Sequence, residues 1–172
     1  MAEDSAGFPL SILKVLELLS SGGVPYVVVG GMAMVFHGIP RATLDVDILV
    51  PAEQDTLRLL LTILEKQRLA CSEEGIVLLL DRPDFLVGQW LTFADREGRE
   101  VLDVMPENPA SFQAISVRAV ARESGGVLIP VACLEDMRLL KQASGRPVDV
   151  ADIGLLDERI ALDKDRTRDE GT

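Results

Sequence analysis

The sequence has 172 residues, 48% of them hydrophobic, which suffices to bury a core in one domain. Its 17 Lys and Arg against 28 Asp and Glu leave a formal net charge of −11, which excludes a broad surface for phosphate backbones but not a metal-assisted site for one nucleotide. Cys71 and Cys133 stand far apart beside a single histidine, so neither a zinc site nor a disulfide framework is indicated; with no basic leader and no apolar run of about 20 residues, a cytoplasmic chain without a membrane span is expected.

In chain order, Leu10, Ile12, Leu13, Val15, Leu16, Leu18 and Leu19 recur at helical spacing until Gly22-Gly23 stops them. Pro25 to Val29 is an apolar, β-branched run of the kind buried on both faces of a sheet, ended by Gly30-Gly31. A brief helix is expected over Met32–Phe36, and Leu44–Val50 reads as a second strand carrying alternating carboxylates. From Glu53 to Arg68, the spacing of Leu57, Leu60, Leu61 and Leu64 predicts an amphipathic helix opened by Pro51 and an acidic first turn. Ile76–Leu80 fits strand or helix by periodicity and is read as strand. Gln89–Ala94 and Arg99–Val104 are strand-like runs flanking a turn at Asp95-Arg96-Glu97-Gly98. Arg118–Glu123 and Val127–Val131 form a further strand pair, followed by helices over Leu134–Ala143 and Val148–Ile160. Residues 1–162 are read as a single domain and 163–172 as a charged, disordered tail.

Asp45 and Asp47 stand two apart in a predicted strand, so both carboxylates project to one side and can share a cation. Magnesium, or manganese, takes hard oxygen ligands from one or two carboxylates and completes its shell with substrate phosphates. Asp103, near the end of another strand-like run, offers a third carboxylate for a second metal or for taking a proton from an attacking hydroxyl. Gly30 and Gly31 let the backbone approach a ligand, with the N–H groups of the following helix facing phosphate. Arg41 and Thr43 add a guanidinium and a hydroxyl on the phosphate side. Taken singly each feature has a plainer reading: a solvated strand face, an ordinary turn, a paired acid. His37, the lone histidine, reads as a local hydrogen-bonding residue rather than a base. The order strand, Gly-Gly, short helix, basic residue, DxD, later acidic strand is what carries the functional reading.

The run Val29 to Val50, with Gly30-Gly31 and Asp45-Val46-Asp47, resembles the signature of minimal nucleotidyltransferases of the polymerase-β superfamily, and is similar to the AbiEii type of toxin–antitoxin and phage-defence systems. The likeness extends to Glu135–Lys141, Gly145-Arg146 and Asp149–Ile153, leaving residues 71–95 least distinctive. It implies an α+β fold, a mixed β-sheet flanked by α-helices, with catalytic, metal-holding Asp45, Asp47 and Asp103. Nucleotide binding would fall to Gly30, Gly31, Met32, Arg41, Thr43 and Lys141, with Arg146 nearby. Lys141 and Arg146 equally fit helix-surface charges paired with Asp149 or Asp152. Many members carry Gly-Ser where this chain has Gly31-Met32, so binding at the loop would rest on backbone N–H groups.

The activity implied is magnesium-dependent transfer of a nucleoside monophosphate from a triphosphate to a hydroxyl of RNA, protein or a small molecule, with a cognate protein partner in the toxin–antitoxin setting. The alternative is a nucleotide- or partner-binding protein of the same fold without turnover. Three converging acids favour the enzyme, because like charges at one point are costly to keep.

Overall fold

The computed structural model describes residues 10–43, 45–73 and 75–169. Helix α1 (Leu10–Ser21) ends where its pattern predicts: Gly23 adopts a left-handed φ of 80°, and the Val24 N–H turns back to the Leu19 carbonyl at 2.9 Å. Strand β1 (Val27–Val29) is the buried run expected, each residue at most 3% exposed. It leads directly into α2 (Gly30–Phe36), which starts at the glycine pair rather than at Met32. Strand β2 (Val46–Pro51) and helix α3 (Gln54–Lys66) follow; the start of the predicted strand at Leu44 lies outside the described residues. Leu57, Leu60 and Leu64 form the buried stripe of α3, each contributing about 2 kcal/mol of transfer free energy before ordering costs.

Residues 76–79 differ from the strand expectation. They form a short helix, α4 (Ile76–Leu79), opened by Gly75 at a φ of 82°. Only Ile76 and the following Leu80, four apart and hence on one helical face, are buried, while Val77 and Leu78 are 67% and 83% exposed. Three further elements escape the sequence patterns, one of them a single 3-10 turn over Pro83–Leu86. Strand β3 (Ala70–Cys71) is two residues long, too short for a period to show, and α5 (Pro109–Ser116) rests on its cap: Asn108 Oδ1 accepts from the N–H groups of Ala110 and Ser111, with Pro109 opening the first turn.

Strands β4 (Leu91–Ala94) and β5 (Glu100–Glu107) form the expected hairpin, in which Asp95 Oδ1 accepts from the Glu97 and Arg99 N–H groups. The β6 (Val120–Ser124) and β7 (Val127–Val131) hairpin precedes α6 (Leu134–Ser144) and α7 (Pro147–Asp169). Helix α7 runs past Ile160 into the segment expected to be disordered; residues 170–172 lie outside the described residues.

The seven strands make one mixed sheet in the order β3-β4-β5-β2-β1-β7-β6. β1 runs antiparallel to β2 and parallel to β7, and β2 runs parallel to β5. Helices α1 and α3 pack on one another and on β7 and β2, while α6 and α7 pack together. This is the mixed sheet with flanking helices that the sequence implies. Among the described residues no helix is long and apolar enough to cross a membrane.

Candidate active site

Parallel pairing of β2 with β5 sets Asp47 beside Asp103. Alternation along both strands then turns Asp47, Leu49, Asp103 and Met105 to one cavity, while Val46, Ile48, Leu102 and Val104 enter the core. Asp45 lies in a bend just before β2 rather than inside the strand, and Thr43 holds it there by donating its hydroxyl to Asp45 Oδ1 at 2.8 Å. One oxygen from each of Asp45, Asp47 and Asp103 lies within 4.8 Å of the others.

The glycine pair seats this cluster. Gly30 has a φ of 66°, and a Cβ there would come 1.9 Å from Asp47 Oδ2. The Gly31 N–H favours the charged form of the Asp47 carboxyl. Gly31 also lies against Thr43, whose Cβ would stand 3.0 Å from an added methyl. Gly30→Ala is therefore expected to cost about 1–2 kcal/mol in backbone strain. It should also displace Asp47 and weaken magnesium-dependent nucleotide binding roughly tenfold or more, read by urea melts and calorimetry; unchanged binding would count against this role for the glycine.

Burial, followed by the charges of Asp45 and Asp103, pushes Asp47 up to about 6, against the opposing pull of the Gly31 N–H and Lys141. Burial likewise raises Asp103, opposed by a hydrogen bond from Thr92 and reinforced by Asp45. Asp103 Oδ1 is buried without a hydrogen-bond partner. Three converging carboxylates, one of which carries an oxygen without a partner, fit a divalent cation, whose charge would relieve their repulsion.

Across the cavity stand three cations, each held from behind by a carboxylate of α7. Lys141 Nζ lies 3.0 Å from Asp149 Oδ1 and 2.7 Å from Asp152 Oδ2. Arg146 Nε lies 2.8 Å from Asp149 Oδ2, and Arg41 Nε 3.4 Å from Asp152 Oδ1. Asp149 and Asp152 are 0% and 2% exposed and Lys141 is 9% exposed, so Lys141 is paired within a buried network, whereas Arg146, its side chain 62% exposed, is a surface charge paired with Asp149 as the sequence allows. Burial alone would raise Asp149, but hydrogen bonds from Arg146, Lys141 and Ser144 outweigh it and hold the carboxyl far below the usual range.

The cavity measures about 1150 Å³ and is lined by Gly30, Gly31, Arg41, Thr43, Lys141 and the three aspartates among others. That exceeds the roughly 300–1,000 Å³ of a single-ligand pocket and leaves room for two substrates. The Met32 side chain does not line it, being 5% exposed in the core because α2 turns that face inward, so a contact from Met32 would be through its backbone N–H. His37 is buried elsewhere, its Nε2 donating to the Ala132 carbonyl at 2.7 Å, and burial lowers its pKa. No local pattern marks Trp90, just before β4, or Glu100 and Glu107 of β5, which also line the cavity; their shared face follows only from the hairpin register.

A family model described as nucleotidyltransferase of unknown function (DUF6036) matches residues 11–164. The chain belongs to this family. Nucleotide transfer is thus the chemistry of this nucleotidyltransferase, and the acidic trio and basic wall lie within the matched segment. No protein with a curated description matches it. Among solved structures, the lincomycin-bound lincosamide antibiotic adenylyltransferase LnuA is 18% identical, with a TM-score of 0.60 over 87% of this chain and 96% of its own. The antibiotic-resistance factor ANT(2'')-Ia is 16% identical, with a TM-score of 0.57 over 93% and 90%. An antigenic nucleotidyltransferase-like protein from Paracoccidioides brasiliensis is 17% identical, with a TM-score of 0.55 over 94% and 78%. At these identities the likeness is one of fold.

Proposed function

We propose that this nucleotidyltransferase moves a nucleoside monophosphate from a nucleoside triphosphate to a hydroxyl group, with Asp45, Asp47 and Asp103 holding magnesium or manganese. The observation that supports it best is the pairing, across one cavity, of three converging carboxylates with a wall of three cations. Bound there, a divalent cation supplies Lewis-acid stabilisation of the phosphate charge. Arg41, Lys141 and Arg146 attract the triphosphate, and the carboxylates behind them fix where their charges sit. Asp103 takes the proton of the acceptor hydroxyl as its oxygen bonds to the α-phosphorus. The bond from that phosphorus to the pyrophosphate oxygen breaks, and pyrophosphate leaves.

Calorimetry with ATP, CTP, GTP and UTP tests the reading. Binding is expected to need magnesium, and labelled nucleotide incubated with cell extract is expected to mark one fraction as acceptor. Tight binding that ignores magnesium, with no fraction labelled, would leave only a nucleotide-binding module.

The AbiEii-type likeness extends the proposal to a toxin–antitoxin setting with a cognate protein partner. Its support is the run from Val29 to Val50 and the closing segment around Lys141 and Asp149, and co-purification from the native host tests it. A cytoplasmic setting agrees with Cys71 and Cys133 remaining free thiols.

A further inference from the structure

The cavity has two walls of opposite charge, and only one is accounted for by a triphosphate. Its other wall is the open face of β4 and β5. Asp103, Met105 and Glu107 follow one another along β5 at alternate positions. Leu49 of β2 lies beside Met105, and Trp90, just before β4 and 42% exposed, lines the same side. Glu100 stands at the far end of β5. Among the described residues, neither Glu100 nor Glu107 is paired with a cation, and no Lys or Arg lines this wall; Arg41, Lys141 and Arg146 all belong to the other. Glu107 Oε1 accepts only the N–H of the neighbouring Asn108, which leaves its charge unneutralised.

Resting on the transferase reading, we propose that the acceptor is a small, hydroxyl-bearing organic cation. Its ammonium group docks at Glu107, its apolar or planar middle lies over Met105 and against Trp90, and its hydroxyl reaches Asp103. At about 3.3 Å per residue, Glu107 lies roughly 13 Å along the strand from Asp103, which sets the distance between the two groups. The hydroxyl oxygen bonds to the α-phosphorus, its proton passes to Asp103 and pyrophosphate leaves; the ammonium keeps its protons and acts only as a handle. Nucleic acid is disfavoured as acceptor because its phosphates would lie against unpaired carboxylates.

Trp90 is the chain's one tryptophan, so its fluorescence reports on this wall. The full chain, with magnesium and the α,β-methylene analogues of all four nucleoside triphosphates, is titrated with 8-aminooctan-1-ol and with octane-1,8-diol, a pair differing in the terminal charge. The amino alcohol is expected to change Trp90 emission saturably and to bind about fivefold tighter than the diol, as suits one partly solvated ion pair. Glu107→Gln is expected to erase that difference, and Glu107→Asp to restore part of it. Equal binding of the two compounds, binding of neither, or preferential binding of a short single-stranded RNA overturns the proposal. Calorimetry of the nucleotide analogues in the same samples separates the two readings: if they fail to bind with magnesium the transferase reading falls, whereas if they bind without any charge preference at the acceptor wall only the acceptor assignment falls.

Discussion

Asp47→Asn is expected to lower nucleotidyl transfer by several kcal/mol of transition-state stabilisation, roughly 10³-fold, while making the metal-free protein more stable at neutral pH. Asp47 is buried beside two like charges and titrates near 6 rather than at its ordinary 3.8. A group whose folded pKa is raised contributes stability that is fully present below the unfolded pKa and lost as pH rises through the folded one. For Asp47 that loss falls between about pH 4 and pH 6, and the shift corresponds to about 2–3 kcal/mol. Asparagine keeps the shape and a carbonyl to accept from the Gly31 N–H, but carries no charge to bury. Urea melts in chelator should therefore show the variant overtaking the parent as pH rises from 4 to 7. Magnesium should close the gap by stabilising only the parent. A parent as stable as the variant at pH 7 in chelator would show that the trio is not electrostatically strained.

Asp149→Ala is expected to be the most damaging change outside the trio, costing about 3–5 kcal/mol, because it leaves Lys141 buried with half of its counter-charge gone. Arg146, whose side chain is 62% exposed, regains solvent and contributes little to that cost. The Asp149 carboxyl is held well below its unfolded value, so its contribution is present above about pH 4 and is lost only in stronger acid. Thermal melts at pH 7 measure the loss. Should the variant fail to fold, Lys141→Met with Asp149→Leu and Asp152→Asn removes the buried charges together and should recover much of the stability while weakening nucleotide binding. A triple variant that binds nucleotide like the parent would assign the network to folding alone.

Local chemistry made much of this legible. The apolar run of β1, the Leu57, Leu60 and Leu64 stripe of α3 and the turn at Asp95 each declare themselves within a few residues. So did the candidate carboxylates, since acids are rare in apolar strands. Helix α4 misled because four apolar residues are too few for a period, and burial of Ile76 and Leu80 alone comes from packing. That the Met32 side chain turns to the core while its neighbours in the motif line the cavity is likewise set by packing, and leaves only its backbone to meet a nucleotide.

The sequence by itself determined the parts: buried strands, an amphipathic helix, a glycine pair before a DxD, one later acid and a net negative charge that leaves no broad phosphate-binding surface. Only the tertiary structure decided that β2 lies parallel to β5, which brings Asp103 beside Asp47 across 56 positions of chain that no local pattern connects. It also decided that α7 folds back on α6, which buries Asp149 and Asp152 against Lys141 and converts what reads as surface charge into a fixed basic wall. The physical reason is the same in both cases. Charges and their partners meet through strand register and helix packing, which are set by how the whole core closes, whereas sequence periodicity reports only which side of one element faces inward.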